Sequence, residues 1–174
     1  PVLSFLADVS DTDSNREVRL DNITLNLIPV SANFTTEDLL DLALGGSTGD
    51  PLFDSGVEVW RDDGDGAFDA DEDTRLEFDG VPTWSGLGPY SVLLMIRDTA
   101  APTEEISAGE DARFFVVVRT SANAEDGETF RVDLPADGIT YTGYTNGLTT
   151  VLGPTGPAVT GTTLTVDSSV PYLI

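Results

Sequence analysis

Aspartates are concentrated in one short stretch of this chain, residues 61–73, which reads Arg-Asp-Asp-Gly-Asp-Gly-Ala-Phe-Asp-Ala-Asp-Glu-Asp. Carboxylates this close repel one another unless an opposite charge lies between them. A hard divalent cation supplies that charge, because it binds roughly six to eight oxygens from carboxylates and carbonyls. The sequence therefore predicts a calcium site whose side-chain ligands are Asp62, Asp63, Asp65, Asp69, Asp71 and Asp73.

The spacing inside the stretch favours a tight turn around the ion. Asp63 and Asp65 alternate before Gly66, and glycine readily adopts the positive φ that such a turn needs. Phe68 is expected to anchor the loop to the core, with Asp69 approaching from the far side. Magnesium fits less well, since it keeps several of its waters. The alternative is a solvated acidic hairpin tip without an ion. A more distant ligand could come from one of three other acids: Asp54, Asp79 or Asp98.

Part of the stretch resembles known calcium loops. The segment Asp63-Gly64-Asp65-Gly66-Ala67-Phe68-Asp69, followed by Glu72, is similar over about twelve residues to the loops of EF-hands, dockerins and thrombospondin-type repeats. The resemblance implies calcium binding and adds Ala67 to the ligand set. Arg61 stands where those families place their first aspartate, so either Asp62 takes that role or the geometry of the loop differs from theirs. The flanking segments look like strands, not helices, which implies a calcium loop in a β setting.

Strand patterns dominate the rest of the chain. Residues 17–30 change their apolar phase near Asn22, which predicts a bulge or two short strands. Residues 57–60 and 75–78 are expected to pair across the acidic stretch. Residues 90–96 are nearly all apolar, so we expect a central strand buried on both faces.

These patterns predict the fold class and the domain organisation. Many short strands separated by Gly and Pro predict an all-β fold, a β-sandwich or jelly roll of short antiparallel strands. Residues 36–43 fit either a short helix capped by Thr36 or a strand. We expect a strand extension and hinge over residues 1–15, followed by a sandwich domain over residues 16–174 that carries the calcium loop.

Missing residue types exclude several kinds of site. The chain has no Cys and no His, and its 8 basic residues are all Arg. Zinc, haem and iron–sulfur centres therefore lose their usual ligands, and Ser-His-Asp or Cys-His catalysis is excluded. The net charge of −23 repels phosphate backbones, which excludes nucleic acid as a partner. No apolar run reaches the ~18 residues of a membrane helix, so membrane insertion is not expected.

Carboxylates alone can hydrolyse glycosides, so Glu58 and Glu77, with Trp60 and Trp84, could be read as an active site. The strand pattern instead places both glutamates on outward faces and Trp60 in the core. The sequence therefore predicts that the protein is not an enzyme.

A second segment resembles a structural module. Residues 106–141 contain the turn Ala108-Gly109, an alternating strand at 114–118, and the corner Leu134-Pro135 before Gly138. This order is similar to the strand-turn-strand motif of prokaryotic surface Ig-like repeat modules. The resemblance implies an extracellular or cell-surface location after signal-peptide removal, a scaffold or adhesive role, and no catalytic residues.

Together these features predict a structural subunit of an extracellular filament or surface layer whose partners are copies of itself. A terminal strand could insert into a neighbouring subunit: the N-terminal one, with an apolar face formed by Leu3, Phe5, Ala7 and Val9, or the alternating C-terminal one from Leu164 to Ile174. The alternative to such insertion is that both termini pair within their own domain. The alternative is a calcium-bearing carbohydrate-binding or adhesive surface module that uses Trp84, Tyr141 and Tyr144 as sugar platforms. Two sequons make Asn22 and Asn33 possible N-glycosylation sites.

Overall fold

The computed structural model describes residues 1–9, 16–39, 56–80, 82–97, 104–121, 123–145 and 148–167. Eleven strands lie in these ranges: β1 (Leu3–Asp8), β2 (Arg16–Pro29), β3 (Val57–Arg61), β4 (Thr74–Arg75), β5 (Tyr90–Met95), β6 (Glu105–Ile106), β7 (Asp111–Val118), β8 (Thr129–Asp133), β9 (Ile139–Thr145), β10 (Leu148–Thr155) and β11 (Leu164–Thr165). They form two antiparallel sheets. Sheet A has four strands in the order β1-β7-β3-β4, and sheet B has seven.

Sheet B is organised around the long strand β2. Strands β9 and β8 pair with the first and second parts of β2 along one side, and β6 and β5 do the same along the other. Strands β10 and β11 then extend the sheet beyond β9 and β8. The pairing of β2 with β9 shifts register between Leu20 and Asn22. The predicted bulge is therefore confirmed, and it keeps Val18 and Leu20 on the same buried side as Ile23.

The two sheets pack face to face around one apolar core that takes residues from both. Phe5 of β1 stacks on Phe114 of β7, with ring centroids 5.3 Å apart. Phe34, which follows β2, stacks on Phe130 of β8 at 4.4 Å. The prediction of an all-β sandwich of short antiparallel strands is confirmed.

The expectation for residues 90–96 is wrong. In β5 only alternate residues are buried, and Leu93 and Met95 are 53% and 48% exposed. The reason is that sheet B meets the core with one face only, so every second residue of an apolar strand turns outward.

Residues 36–43 begin with one turn of 3₁₀ helix, Thr36–Asp38. Its N-cap is Thr35 and not Thr36: the Thr35 hydroxyl accepts from the Glu37 N–H at 3.2 Å, and Asp38 accepts from the Thr35 N–H at 2.7 Å. Residues 40–43 lie outside the described ranges. Within the described ranges, no helix has the length and apolar character needed to cross a bilayer.

Candidate metal centre

The acidic stretch closes a hairpin at the end of sheet A. Trp60 pairs with Arg75 and Arg61 with Thr74, so residues 62–73 form the loop between β3 and β4. The predicted pairing across the loop is confirmed for its first part only. Beyond it the chain crosses to sheet B, where Phe78 bridges to Ile96.

Three of the six aspartates meet inside this loop. Carboxylate oxygens of Asp62, Asp63 and Asp73 lie within 4.8 Å of one another, an arrangement that could hold a metal ion. The side chain of Asp62 is 6% exposed and Asp73 is 7% exposed, whereas Asp63 is exposed. Two negative charges are thus held close together with little water around them.

Backbone N–H groups hold these carboxylates in place. Asp73 accepts from the N–H of Asp63 at 3.1 Å and from that of Asp69 at 3.0 Å, which joins the two ends of the loop. Asp62 accepts from the Gly66 N–H at 3.1 Å. Gly66 has a φ of 81°, a conformation that side chains other than glycine rarely adopt. The turn predicted at Gly66 is therefore present, and it directs an N–H toward Asp62.

Phe68 fixes the loop to the protein, but on the outer face of sheet A and not in the core. Its ring meets Trp60 and Phe115 edge to face, with centroids 5.7 Å apart in each case. Trp60 is only half-buried, so its placement in the core is wrong. These aromatic contacts give the loop a fixed position relative to the sheet.

Two arginines flank the carboxylate group. Arg61, at the position of the families' first aspartate, donates to the carbonyl of Glu105 in β6 at 2.6 Å and so links the two sheets. Asp62 lies beside Asp63 and Asp73. Arg113 of β7 lies 3.9 Å from Asp62. An open cavity of about 860 Å³ adjoins the group, and Asp62, Asp63 and Arg113 are part of its lining.

The other predicted ligands are not part of this group. The Asp65 carboxylate accepts from the Ala67 N–H at 2.7 Å, and Asp69 accepts from the Asp71 N–H at 2.9 Å. All four residues are exposed, and their roles as ligands stay predictions. Among the more distant candidates, Asp79 pairs with Arg97; residues 54 and 98 lie outside the described ranges.

Glu58 lies on the outward face of β3, as predicted, yet it is only 2% exposed. Its carboxylate accepts from Trp60 Nε1 at 3.0 Å and from Arg119 Nε at 3.0 Å, and Arg75 Nη1 lies 3.6 Å away. Sequence periodicity did not predict the burial of Glu58, because the side chains that cover it, Arg75 and Arg119, come from other parts of the chain. Glu77 is exposed and pairs with Arg97 at 3.0 Å. Both glutamates are therefore members of ion pairs.

The remaining predicted sites are distributed over the molecule. Strand β1 pairs with β7 of its own chain, burying Leu3, Phe5 and Val9 and half-burying Ala7. The hinge at residues 10–15 lies outside the described ranges. Asn22 is half-buried within β2, and Asn33 is exposed in a turn. Among the predicted sugar platforms, Trp84 and Tyr141 are partly buried against the core. The side chain of residue 144 lies outside the described part.

Comparisons with known proteins identify no family. No protein-family model and no curated protein matches the chain. A solved structure titled "AvmM Catalyzes Macrocyclization in Alchivemycin A Biosynthesis" is similar over 99% of this chain and 92% of its own, at 9% identity and a TM-score of 0.30. A TM-score of this size carries no argument about fold or activity. The function must therefore be inferred from the chain's own residues.

Proposed function

We propose that this protein is a calcium-stabilised structural subunit of an extracellular filament or surface layer. The observation that carries the proposal is the convergence of Asp62, Asp63 and Asp73, two of them buried, in a loop that closes a sheet hairpin. A cation bound there contributes to folding directly, because the cluster assembles only in the native chain.

Electrostatics supports the cation. Two unit charges 4.8 Å apart repel by about 3 kcal/mol at an effective dielectric constant of about 20, and the carboxylates of Asp62 and Asp73 are no farther apart than that. Backbone N–H groups offset part of this energy. A divalent ion offsets more, since it attracts all three carboxylates at once.

Calcium is the ion that suits these ligands best. They are hard oxygen donors in an irregular loop, and calcium tolerates irregular geometry with roughly six to eight ligands. Three carboxylates supply three to six of those oxygens. Water or the predicted ligands Asp65, Ala67, Asp69 and Asp71 complete the coordination shell.

The position of β1 supports assembly by strand exchange. It is the edge strand of sheet A, whereas the next strand along the chain, β2, belongs to sheet B. Phe5 fills a place beside Phe114 that the β1 of another copy could fill equally well. Head-to-tail donation of this kind produces an open fibre.

The carbohydrate-binding alternative has less support, because Trp84 and Tyr141 are packed partly against the core and not displayed as platforms.

Two measurements on the purified protein test the proposal. Calorimetric titration of the chelator-treated protein should show calcium binding that magnesium does not reproduce. Negative-stain electron microscopy should show filaments or sheets in calcium. The absence of calcium binding would remove the metal part of the proposal, and monodisperse monomers in calcium would remove the assembly part.

A further inference from the structure

Charged residues are absent from two long segments of this highly charged chain. The sequence holds 39 charged residues among 174, yet none occurs in residues 80–96 or in residues 138–166. The first segment contains β5 and the second contains β9 and β10. All three strands belong to sheet B, where β5 and β9 flank β2 on opposite sides.

The outer face of sheet B therefore has a neutral centre. Residues directly opposite each other in an antiparallel pair project to the same side. Asn22 lies opposite both Met95 and Thr140, and Thr24 lies opposite Leu93. This centre, which we call the neutral face, consists of Asn22, Thr24, Asn26, Ser91, Leu93, Met95 and Thr140.

Two apolar side chains of the neutral face are open to solvent. Leu93 is 53% exposed and Met95 is 48% exposed, while their neighbours Val92 and Leu94 are buried in the core. Both lie on one strand, two residues apart, and so stand side by side on the same surface. Half-buried Thr and Asn side chains surround them, and these can form hydrogen bonds without bringing charge.

The arginines at the rim of this face are paired with acids. Arg19 binds Asp21 at 3.1 Å at one end of β2, and Arg131 binds Asp133 at 3.1 Å near the other. Beyond Met95, Arg97 binds both Glu77 at 3.0 Å and Asp79 at 3.1 Å. The hydrogen bond to Asp79 raises the pKa of Arg97. Glu105 lies opposite Arg19, and Glu17 is the next outward residue of β2, so the rim holds three arginines and six acids, whereas the whole chain has 8 basic and 31 acidic residues.

We propose that the neutral face is a contact surface for a second copy of this chain, joined face to face. Two molecules that each carry a charge of −23 repel at most orientations. Here the centre carries no charge and the rim arginines offset part of the rim's negative charge, so the electrostatic cost of contact is reduced. An apolar centre with a polar rim is also the usual anatomy of a protein interface. A two-fold contact places Leu93 and Met95 of one copy against the same residues of the other.

The dimensions of the face set the strength of the contact. Three strands about 4.8 Å apart, over six residues of about 3.3 Å each, cover roughly 10–15 Å by 20 Å. That area, about 200–300 Å² on each copy, is well below the roughly 800 Å² that each partner buries in a standard specific interface, so an isolated pair binds only weakly. Such a contact suits lateral packing of filaments or layers, where many copies act together. The choice of a second copy as the partner rests on the proposed function; the surface itself includes no residue of the loop 61–73.

The test is sedimentation of the full chain over a range of concentrations, in EGTA, with Leu93→Asp and Met95→Asp as variants. The unaltered chain should self-associate weakly, and more strongly as sodium chloride rises, because salt screens the repulsion between copies. Each variant should lower the association constant by about tenfold or more, since it buries an unpaired carboxylate at the contact. Val30→Asp is the matched control: Val30 is 51% exposed and directly follows β2, about 13 Å from Asn26, the nearest β2 residue of the neutral face. It should associate like the unaltered chain.

Melting temperatures of the unaltered chain and the three variants verify that each is folded. If either Leu93→Asp or Met95→Asp does not fold, the other variant still tests the contact. Three results would overturn the inference: no self-association at any salt concentration, association that weakens as salt rises, or equal loss in Val30→Asp. Since EGTA removes calcium, a failure of this test leaves the calcium titration unaffected. Conversely, if the chain binds no calcium but self-associates through Leu93 and Met95, the metal site is refuted and the contact surface is not.

Discussion

Burial separates the aspartates of the loop into two groups at the scale of single residues. The side chain of Asp62 is 6% exposed and Asp73 is 7% exposed; Asp62 accepts from the N–H of Gly66, four residues on, and Asp73 accepts from that of Asp63, across the loop. Asp65 and Asp69 are exposed, and each accepts from an N–H only two residues away. Water screens the exposed charges but not the buried ones. Calcium affinity should therefore depend most on the buried pair.

Substitution of Asp73 tests this difference. We expect Asp73→Asn to lower calcium affinity by about tenfold or more, because fewer ligand charges mean weaker binding. Asp137→Asn is the control, since Asp137 is exposed and its φ of 58° is one that asparagine tolerates. Calorimetric titration measures both, and equal affinities in the two variants would contradict the assignment of Asp73.

Glu58 offers a second test at the residue scale. Glu58→Gln leaves Arg119 and Arg75 without their shared anion, and we expect it to reduce the free energy of unfolding by about 2–3 kcal/mol, less than for a fully buried pair because the Arg119 side chain is 45% exposed. Glu77→Gln breaks the exposed pair with Arg97 and should leave the urea midpoint close to that of the unaltered chain. If the two variants unfold at the same urea concentration, the buried ion pair does not stabilise the fold.

At the scale of elements, the first two strands belong to different sheets: β1 to sheet A and β2 to sheet B. β1 covers one edge of sheet A, where it pairs with β7 over six residues from Leu3 to Asp8. β2 forms the middle of sheet B and bends at its bulge. Removing an edge strand leaves its neighbour with unpaired backbone groups and an open apolar groove, so β1 is the element whose loss most directly tests strand exchange.

Deletion of residues 1–9 should yield a monomer that no longer forms polymers or that aggregates through the open edge of β7. A synthetic peptide with the sequence of residues 1–9 should then bind to the truncated chain and restore its solubility, because it replaces the missing strand. Size-exclusion chromatography and electron microscopy measure the outcome. Polymers of unchanged form after the deletion would eliminate strand exchange.

At the scale of the whole molecule, an unusual charge must be reconciled with a compact fold. The chain carries −23, and self-repulsion of this kind opposes compaction. In the described part of the chain, six arginines form side-chain ion pairs with acids: Arg19, Arg75, Arg97, Arg113, Arg119 and Arg131. Arg61 donates to a backbone carbonyl across the sandwich. A bound cation would add to this compensation at the loop, where acids are densest.

Chelation is the corresponding test. We expect EGTA to lower the melting temperature by roughly 5–10 °C, because a ligand present at about 100 times its Kd stabilises a fold by about 2.7 kcal/mol. Differential scanning calorimetry in millimolar calcium and in EGTA measures the shift, with magnesium as the control. A melting temperature that does not respond to calcium would mean that the loop is an empty acidic hairpin.

The amino-acid sequence by itself determined the features that depend on local pattern. Alternating apolar residues and frequent Gly and Pro were enough to predict the all-β sandwich, and the phase change near Asn22 was enough to predict the bulge, because strand periodicity is a property of neighbouring residues. The density of aspartates likewise located the candidate metal centre.

Only the tertiary structure decided features that depend on residues distant in sequence. It selected Asp62, Asp63 and Asp73 from the six aspartates, and it buried Glu58 beneath arginines from β4 and the end of β7. It also turned Leu93 and Met95 outward, although the run 90–96 is apolar throughout except for Ser91. The physical reason is that burial is set by which elements pack together, and a sequence window does not contain the partners that cover it.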